Sequence, residues 1–513
     1  MTAKNSAPKK RRLDSGDREF FSLVREATFV NPFSDERVEL DLKIGGLSSN
    51  LPTPERIAIL TGEVHNRVKN LEKDGRVTIS QFSGEDRPLI ENVFLFDFFH
   101  HFLDGFDLLI LDQIKTGDTS VKVPFAREAL SVLQERGFSI KDACHYFALC
   151  YQVRRAYFFI DHSLAGKSSC IKELRKNLWN NVFTHNIGLY DEYLWNRMED
   201  FSTLILGETG TGKGTSAMSI GRSGFIPFDE KKECFVESFT RSFVSLNLSQ
   251  FPETLIESEL FGHKKGAFTG AVEDYKGVFD RCSPYGSIFL DEIGEVSNPI
   301  QIKLLQVLQE RVFIPVGSHQ QRRFQGRVIA ATNRSIDDIR ENGLLRDDFF
   351  YRLCSDIIIV PPLRQRIREY PRELDDLLAH TIERILGKPS SDLVQIVRTA
   401  IYKHPGKHYH WPGNVRELEQ CVRRVLLKQS YEGDFFRAQG SALNREGGGD
   451  LGSQLAGAIK KGNMDAHGLL TGYCYLLYQR HGSYEAVARK TKLDRRTVKK
   501  YIEDWKEEVR SEK

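Results

Sequence analysis

Seven residues, Gly207-Glu208-Thr209-Gly210-Thr211-Gly212-Lys213, directly follow the short apolar run Thr203-Leu204-Ile205-Leu206. Their G-x-x-x-x-G-K spacing is that of a phosphate-binding loop. Glycines let the backbone wrap closely so that its N–H groups face phosphate oxygens, and the lysine reaches the β and γ oxygens. Gly214 stands where a Ser or Thr commonly ligates Mg2+, and Thr215 follows it. A second apolar run, Ser287-Ile288-Phe289-Leu290, ends in Asp291-Glu292, with Asp291 78 residues after Lys213. Asp291 is suited to hold Mg2+, directly or through water, and Glu292 to orient and deprotonate an attacking water. Loop and acidic pair together predict hydrolysis of ATP with Mg2+. A competing ending, Gly166-Lys167-Ser168, has Asp161 where the first glycine is needed and is set aside.

Such groups need strands to carry them and helices to cover the strands. Residues 166–425 alternate apolar strand-like runs with helical stretches, which predicts an α/β domain followed by a helical cap. Residues 1–17 are polar and read as a disordered arm, with Pro-Lys-Lys-Arg-Arg at 8–12 as part of a solvated tail. Residues 18–165 are helical and aromatic-rich. There Thr53-Pro54-Glu55 reads as a helix start closed by Gly75, and Ser139 with Asp142 as a capping box for a helix to about His162. Asp97, His100, His101 and Asp104 have i, i+4 spacings that a metal would accept, but their phenylalanine-rich surroundings favour a packed aromatic helix. Residues 430–465, rich in Gly, Asn and Ser, read as a linker.

Between the two apolar runs lies Gly266-Ala267-Phe268-Thr269-Gly270-Ala271, an intact GAFTGA. Glu257-Ser258-Glu259-Leu260, Ala330-Ala331-Thr332-Asn333 and Trp411-Pro412-Gly413-Asn414-Val415-Arg416-Glu417-Leu418 accompany it in order. On these strings the chain resembles the bacterial enhancer-binding proteins, AAA+ activators of RNA polymerase carrying sigma-54, over roughly 166–428 and the C-terminal module. The resemblance implies an α/β AAA+ P-loop ATPase subdomain at 166–365 and a helical lid at 366–429. It places residues 266–271, with Phe268 and Thr269 at the tip, against sigma-54. Asn247 matches a residue that restrains the catalytic glutamate, Thr332 and Asn333 match sensor I, and Arg416 on the lid matches sensor II. Arg346 and Arg352 match arginine fingers supplied across a subunit interface, which implies a hexameric or heptameric ring. Residues 207–215 then cradle ATP. Two departures are Gly214, where the family often has glutamate, and an apparent insertion near 223–242.

Near the C-terminus, Leu470, Tyr473, Cys474 and Leu477 space as one apolar helical face. Ser483 reads as the cap of a second helix, with Tyr484, Val487 and Ala488 inward. Asp494 reads as the cap of a third, whose Val498, Tyr501, Ile502 and Trp505 face inward. Arg495, Arg496, Lys499 and Lys500 lie opposite that face, with Thr497 among them, as in a recognition helix. The pattern at 466–513 resembles the Fis-type helix-turn-helix, and implies double-stranded enhancer DNA, in palindromic sites, as a partner.

The expected fold class is therefore multidomain: a mainly helical N-terminal regulatory region, an α/β AAA+ core with lid, and an all-α helix-turn-helix. The 513 residues carry 73 Lys+Arg against 70 Asp+Glu, which excludes a polybasic protein throughout. No apolar run is long enough for a membrane span, and eight scattered cysteines without a C-x-x-C pair fit reduced thiols in a cytosol, which the resemblance implies is a bacterial cytoplasm. Two other readings, a nucleotide- and DNA-binding regulator without sigma-54 activity and a general AAA+ remodeller or helicase, are disfavoured by the intact GAFTGA, the second also by the terminal helix-turn-helix. For 18–165 the sequence fits a ligand-binding bundle and a protein-docking domain equally.

Overall fold

A computed structural model describes residues 10–47, 51–73, 77–82, 84–428 and 465–511, together with Tyr431 and Leu455. The chain divides into two units, Met1–Gln429 and Ser430–Lys513. The first unit opens with helices α1 (Ser15–Phe29), α2 (Asp35–Gly45), α3 (Thr53–Glu72), α4 (Asp86–His101), α5 (Leu103–Thr116), α6 (Ala126–Glu135), α7 (Ile140–Ser163) and α8 (Ser169–Phe183), then the single turn α9 (Ile187–Leu189). Ser139 caps α7 as its spacing predicts, Oγ accepting from Asp142 N at 3.2 Å. Thr53 is the first residue of α3, not its cap; Pro52 holds that position. Gly75 and the stretch 1–9 lie outside the described residues, as does most of 430–465.

The expected arm is shorter than its polarity suggests. Leu13 is buried and α1 begins at Ser15, because Asp86 of α4 accepts from Leu13 N at 3.1 Å and pairs with Arg18 at 2.8 Å. Asp97 is likewise used structurally, bonded to His65 at 2.8 Å and to Arg136. Among the described residues no group of His, Cys, Asp and Glu is placed to hold a metal.

The α/β part runs through β1 (Thr203–Leu206), α10 (Lys213–Gly221), the hairpin β2 (Phe228–Asp229) and β3 (Cys234–Phe235), β4 (Phe243–Asn247), α11 (Glu253–Phe261), α12 (Val278–Arg281), β5 (Ser287–Asp291) and α13 (Asn298–Glu310). The hairpin β6 (Val312–Phe313) and β7 (Arg322–Arg323), β8 (Arg327–Thr332), α14 (Ile336–Glu341), α15 (Asp347–Leu353) and β9 (Asp356–Ile359) follow. Helices α16 (Leu363–Glu369), α17 (Glu373–Leu386), α18 (Ser391–Lys403) and α19 (Asn414–Lys428) close the unit as the helical cap. The main sheet has the order β4-β5-β8-β1-β9 and is parallel throughout. A parallel sheet is covered on both faces, which is why β1 and β8 are buried at every position and read as continuous apolar runs.

One face of the sheet is covered from across the expected boundary at 165/166. Phe147 and Phe159 of α7 share a single core with Ile220, Phe225, Phe289 and Ile329 of the α/β part. The N-terminal helices are therefore part of the same unit as the sheet. The segment near 223–242, expected as an insertion, is the joint: Phe228 and Phe235 pack on Phe147, and Tyr151 stacks on Phe235 at 4.3 Å. Fully buried Arg155 donates to Arg222 O and Gly224 O, both at 2.8 Å, and Ser219 Oγ of α10 donates to Phe159 O at 3.2 Å.

The second unit holds α20 (Ala466–His481), α21 (Tyr484–Thr491) and α22 (Arg495–Ser511). Its core is Cys474, Leu477, Val487, Val498 and Ile502, with Tyr484, Ala488 and Tyr501 packed against it. The inward face of α20 differs from the spacing argument: Leu470 and Tyr473 are 37% and 44% exposed, while Thr471 is fully buried. Thr471 satisfies its hydroxyl within the helix, donating to His467 O at 2.9 Å, so a polar residue occupies the core position.

Candidate nucleotide site and surface loop

The phosphate loop follows β1 and ends at the N-terminus of α10, where Gly212 is the cap residue. Gly210 and Gly212 have φ of +80° and +108°, values that glycine adopts without steric cost. Lys213 is buried; its Nζ lies along the loop and donates to Gly207 O at 2.9 Å. Burial pushes the Lys213 ammonium below its ordinary pKa, Glu292 and Asp291 pull it back up, and Arg416 pushes it further down. The loop lysine, the acidic pair and the lid arginine therefore share one electrostatic site.

Asp291 ends β5 and is paired in register with Asn247 at the end of β4. Glu292 follows with φ +58°, its N–H donating to Asp291 Oδ1 at 3.1 Å. Thr332, buried at the end of β8, accepts from Arg334 N, and Asn333 Nδ2 reaches Thr209 Oγ1 at 3.5 Å. Two strand ends, those of β5 and β8, thus deliver polar residues beside the loop. Asn247 stands next to this group, but its Oδ1 accepts from Ser249 N at 3.0 Å and Ser249 Oγ at 2.7 Å. Among the described residues it makes no hydrogen bond with Glu292. Thr211 Oγ1 donates to Glu208 O at 2.8 Å and braces the loop from within. Thr215 is half-buried in the first turn of α10. Gly214 has room: a Cβ there would meet nothing closer than Phe289 at 3.7 Å.

Arg346 and Arg352 sit at the two ends of α15, away from the loop's bonding network. Exposed Arg346 pairs with Asp348 at 2.8 Å, and Arg352 Nε donates to Leu308 O at 3.0 Å.

Residues 266–271 form a closed turn between α11 and α12. Gly266 N donates to Ala271 O at 2.8 Å and Ala271 N to Phe268 O at 3.0 Å. Gly266 and Gly270 carry φ of +80° and +104°. Ala271 is buried and anchors the turn, whereas Phe268 is 37% exposed and Thr269 is exposed. His263 meets the Phe268 ring edge-on at 4.9 Å.

Residues 191–358 match the sigma-54 interaction domain. The Nif-specific regulatory protein of Azotobacter vinelandii is 44% identical over 226 residues, 44% of this chain and 40% of that protein. The DNA-binding transcriptional regulator NtrC of Azospirillum brasilense is 39% identical over 233 residues, covering 45% and 44%. Regulatory protein AtoC of Escherichia coli strain K12 is 36% identical over 256 residues, covering 49% and 51%. The matched segment thus spans about half or less of these relatives. A crystal structure of NtrX from Brucella abortus in complex with ATP aligns at TM-score 0.39 and 18% identity, over 74% of this chain and 80% of that one.

The loop, the acidic pair, Asn247, the 266–271 turn, Thr332, Asn333 and both arginines of α15 fall inside the sigma-54 interaction domain; Arg416 lies beyond it. Two groups missed in the sequence reading join the domain to its lid. Fully buried Asn414 donates to Thr209 O at 3.0 Å and Glu208 Oε2 at 3.2 Å, and accepts from Leu363 N at 2.8 Å. Arg364 grips Glu208 at 2.7 Å, and this hydrogen bond holds the Glu208 carboxyl below its ordinary pKa. The string Trp411-Pro412-Gly413-Asn414 held the signal, since Asn414 at φ +53° is one of the few residue types that tolerate that backbone.

In the second unit Arg495, Arg496, Lys499 and Lys500 are all exposed on α22. Asp494 caps that helix, accepting from Arg496 N at 2.9 Å and Thr497 N at 3.0 Å. The Thr497 hydroxyl is bonded to the same carboxylate, so it is already occupied. Ser483 stands at the cap position of α21 without a side-chain cap bond.

Proposed function

We propose that this chain is a bacterial, cytoplasmic activator that couples ATP hydrolysis to remodelling of the RNA polymerase sigma-54 closed complex. One observation carries the reading. Within a sigma-54 interaction domain, the phosphate loop and the Asp291-Glu292 pair occupy one site, and an intact GAFTGA turn exposes Phe268 and Thr269. Residues 207–215 bind the triphosphate of ATP through backbone N–H groups at the α10 N-terminus and through Lys213. The carboxylate that ends β5 suits a hard cation, and Asp291 would hold Mg2+. The ion, when bound, neutralises charge on the phosphate oxygens. Glu292 orients and deprotonates the attacking water, Thr332 and Asn333 sense the γ-phosphate, and Asn247 restrains the glutamate. Arg416 reports nucleotide to the lid. Arg346 and Arg352 act on a neighbouring subunit's site, which requires a hexameric or heptameric ring.

The +6 net charge between Arg489 and Lys500 supports docking of α22 in a DNA major groove. Arg495, Arg496, Lys499 and Lys500 make the contacts, with Thr497 nearby, and paired subunits read palindromic enhancer sites. Open-complex formation on a sigma-54 promoter tests the whole reading. It should require this protein and hydrolysable ATP; nucleotide turnover and DNA binding without promoter opening would favour a regulator that does not act on sigma-54.

A further inference from the structure

A cavity of about 1460 Å3 lies in the N-terminal helices, and no residue of the phosphate loop lines it. It exceeds the roughly 300–1,000 Å3 of typical small-molecule clefts. One face of α7 forms a long wall: Asp142, His145, Tyr146, Leu149, Val153 and Tyr157 recur at helical spacing. The other face of α7 carries Gln152, Arg155 and Phe159, which bond to the end of α10 and the segment after it. The cavity is thus one helix away from the helix that begins at Lys213.

The two ends of the cavity differ in charge. Near Asp142 the wall is acidic: Glu91 accepts from Tyr146 at 3.2 Å and Asp191 is bonded to His145 at 2.6 Å. Twelve residues on, about 18 Å along the helix, Arg154 lines the cavity with Arg37 and Arg56. Arg154 is neutralised by Asp107 at 2.6 Å. Arg37 and Arg56, however, share the single carboxylate of Asp41, at 2.8 Å and 3.7 Å. Arg56 is only 8% exposed, and among the described residues its Nε has no hydrogen-bond partner. A buried N–H without an acceptor normally costs stability, so an acceptor belongs beside Arg56 Nε. His100 lines the same end and makes no hydrogen bond among the described residues. Burial, then the neighbouring Arg37, pushes its ring down to about 3, so it is a neutral group with an N–H to donate. Phe96, Phe99, Leu103 and Trp179 supply apolar surface between these polar groups.

We propose that this cavity binds a small organic anion with an aromatic or aliphatic body, its anionic group held by Arg56 and His100 and its body lying along the apolar face of α7. The full-length protein titrated calorimetrically with 1-naphthylacetate, 4-phenylbutyrate and decanoate, each beside its uncharged amide, tests this. At least one acid should bind saturably at one site per chain with Kd below about 1 mM, its amide about tenfold or more weaker. Arg56→Gln should weaken that acid about tenfold or more, because a charge-assisted hydrogen bond is lost. Val153→Trp, which places an indole in the cavity beside its basic end, should weaken that acid about tenfold or more, with cooperative melting of both variants establishing that they fold. No saturable binding by any of the three acids overturns the proposal. So does equal binding of the amides, or undiminished binding by a folded Val153→Trp protein.

Discussion

Glu292 is held at φ +58° and ψ +47°, a backbone state that costs a side-chain-bearing residue about 1–2 kcal/mol. The strand end and the following turn enforce it, and the consequence is a carboxylate placed beside Asp291 and within electrostatic reach of Lys213. If that carboxylate is the general base, Glu292→Ala should lower ATP turnover by about 10²–10⁴-fold while leaving nucleotide binding largely intact. Phosphate release and equilibrium nucleotide titration separate the two effects. Thr269 makes no side-chain bond among the described residues and stands exposed at the tip of its turn. Thr269→Ala should therefore keep ATP turnover within about twofold and lose promoter opening, since loss of a contact to a partner leaves the distant chemistry alone. Opening at the wild-type rate by that variant would sink the loop assignment.

At the scale of elements, the lid and the phosphate loop touch through backbone. Val415 N donates to Gly210 O at 3.0 Å, and a Cβ on Gly210 would come within 2.3 Å of Gly413 O. Gly210→Ala thus meets both a collision and an unfavourable φ. It should weaken ATP binding about tenfold or more with the circular dichroism of the fold retained. Gly214→Ser, four residues on, has space and should bind ATP within about twofold of the parent.

A second junction ties the start of α8 to the lid. Glu373, fully buried, accepts from Lys167 N at 2.7 Å, Ser168 N at 3.1 Å and Arg366 Nε at 2.8 Å. The Gly166-Lys167-Ser168 string thus faces a carboxylate, which is the opposite of a phosphate site. Glu373→Ala strands Arg366 in the interior and should cost about 3–5 kcal/mol in denaturant unfolding.

At the scale of the whole first unit, the continuous core makes the N-terminal helices part of the fold that holds the sheet. Cutting the chain at 165 would bare Phe225, Phe235 and Phe239, which pack against α7 or share its core. Such a fragment should aggregate, whereas a chain ending at 429 keeps the first unit whole and should stay monodisperse in size-exclusion chromatography. The near-neutral total charge conceals a local concentration, because Arg489–Lys500, from the end of α21 to the start of α22, carries a net +6.

Local signals were sufficient where the physics is local. The glycine spacing at 207–212, the acidic pair after an apolar strand, the Ser139 and Asp494 caps and the period of α22 are all readable from neighbouring residues. The contents of the α20 face were not, because Thr471 is buried through a hydrogen bond to its own helix while Leu470 and Tyr473 remain exposed. Asn414, Glu373 and the wrapped segment 223–242 were also beyond local reading, since their partners lie far away in sequence. The sequence by itself determined which candidate catalytic groups exist and which strands carry them, because side-chain chemistry and chain period are written residue by residue. Only the tertiary structure decided that the N-terminal helices cover the sheet and enclose a charged cavity, because burial of a face depends on which distant surface meets it.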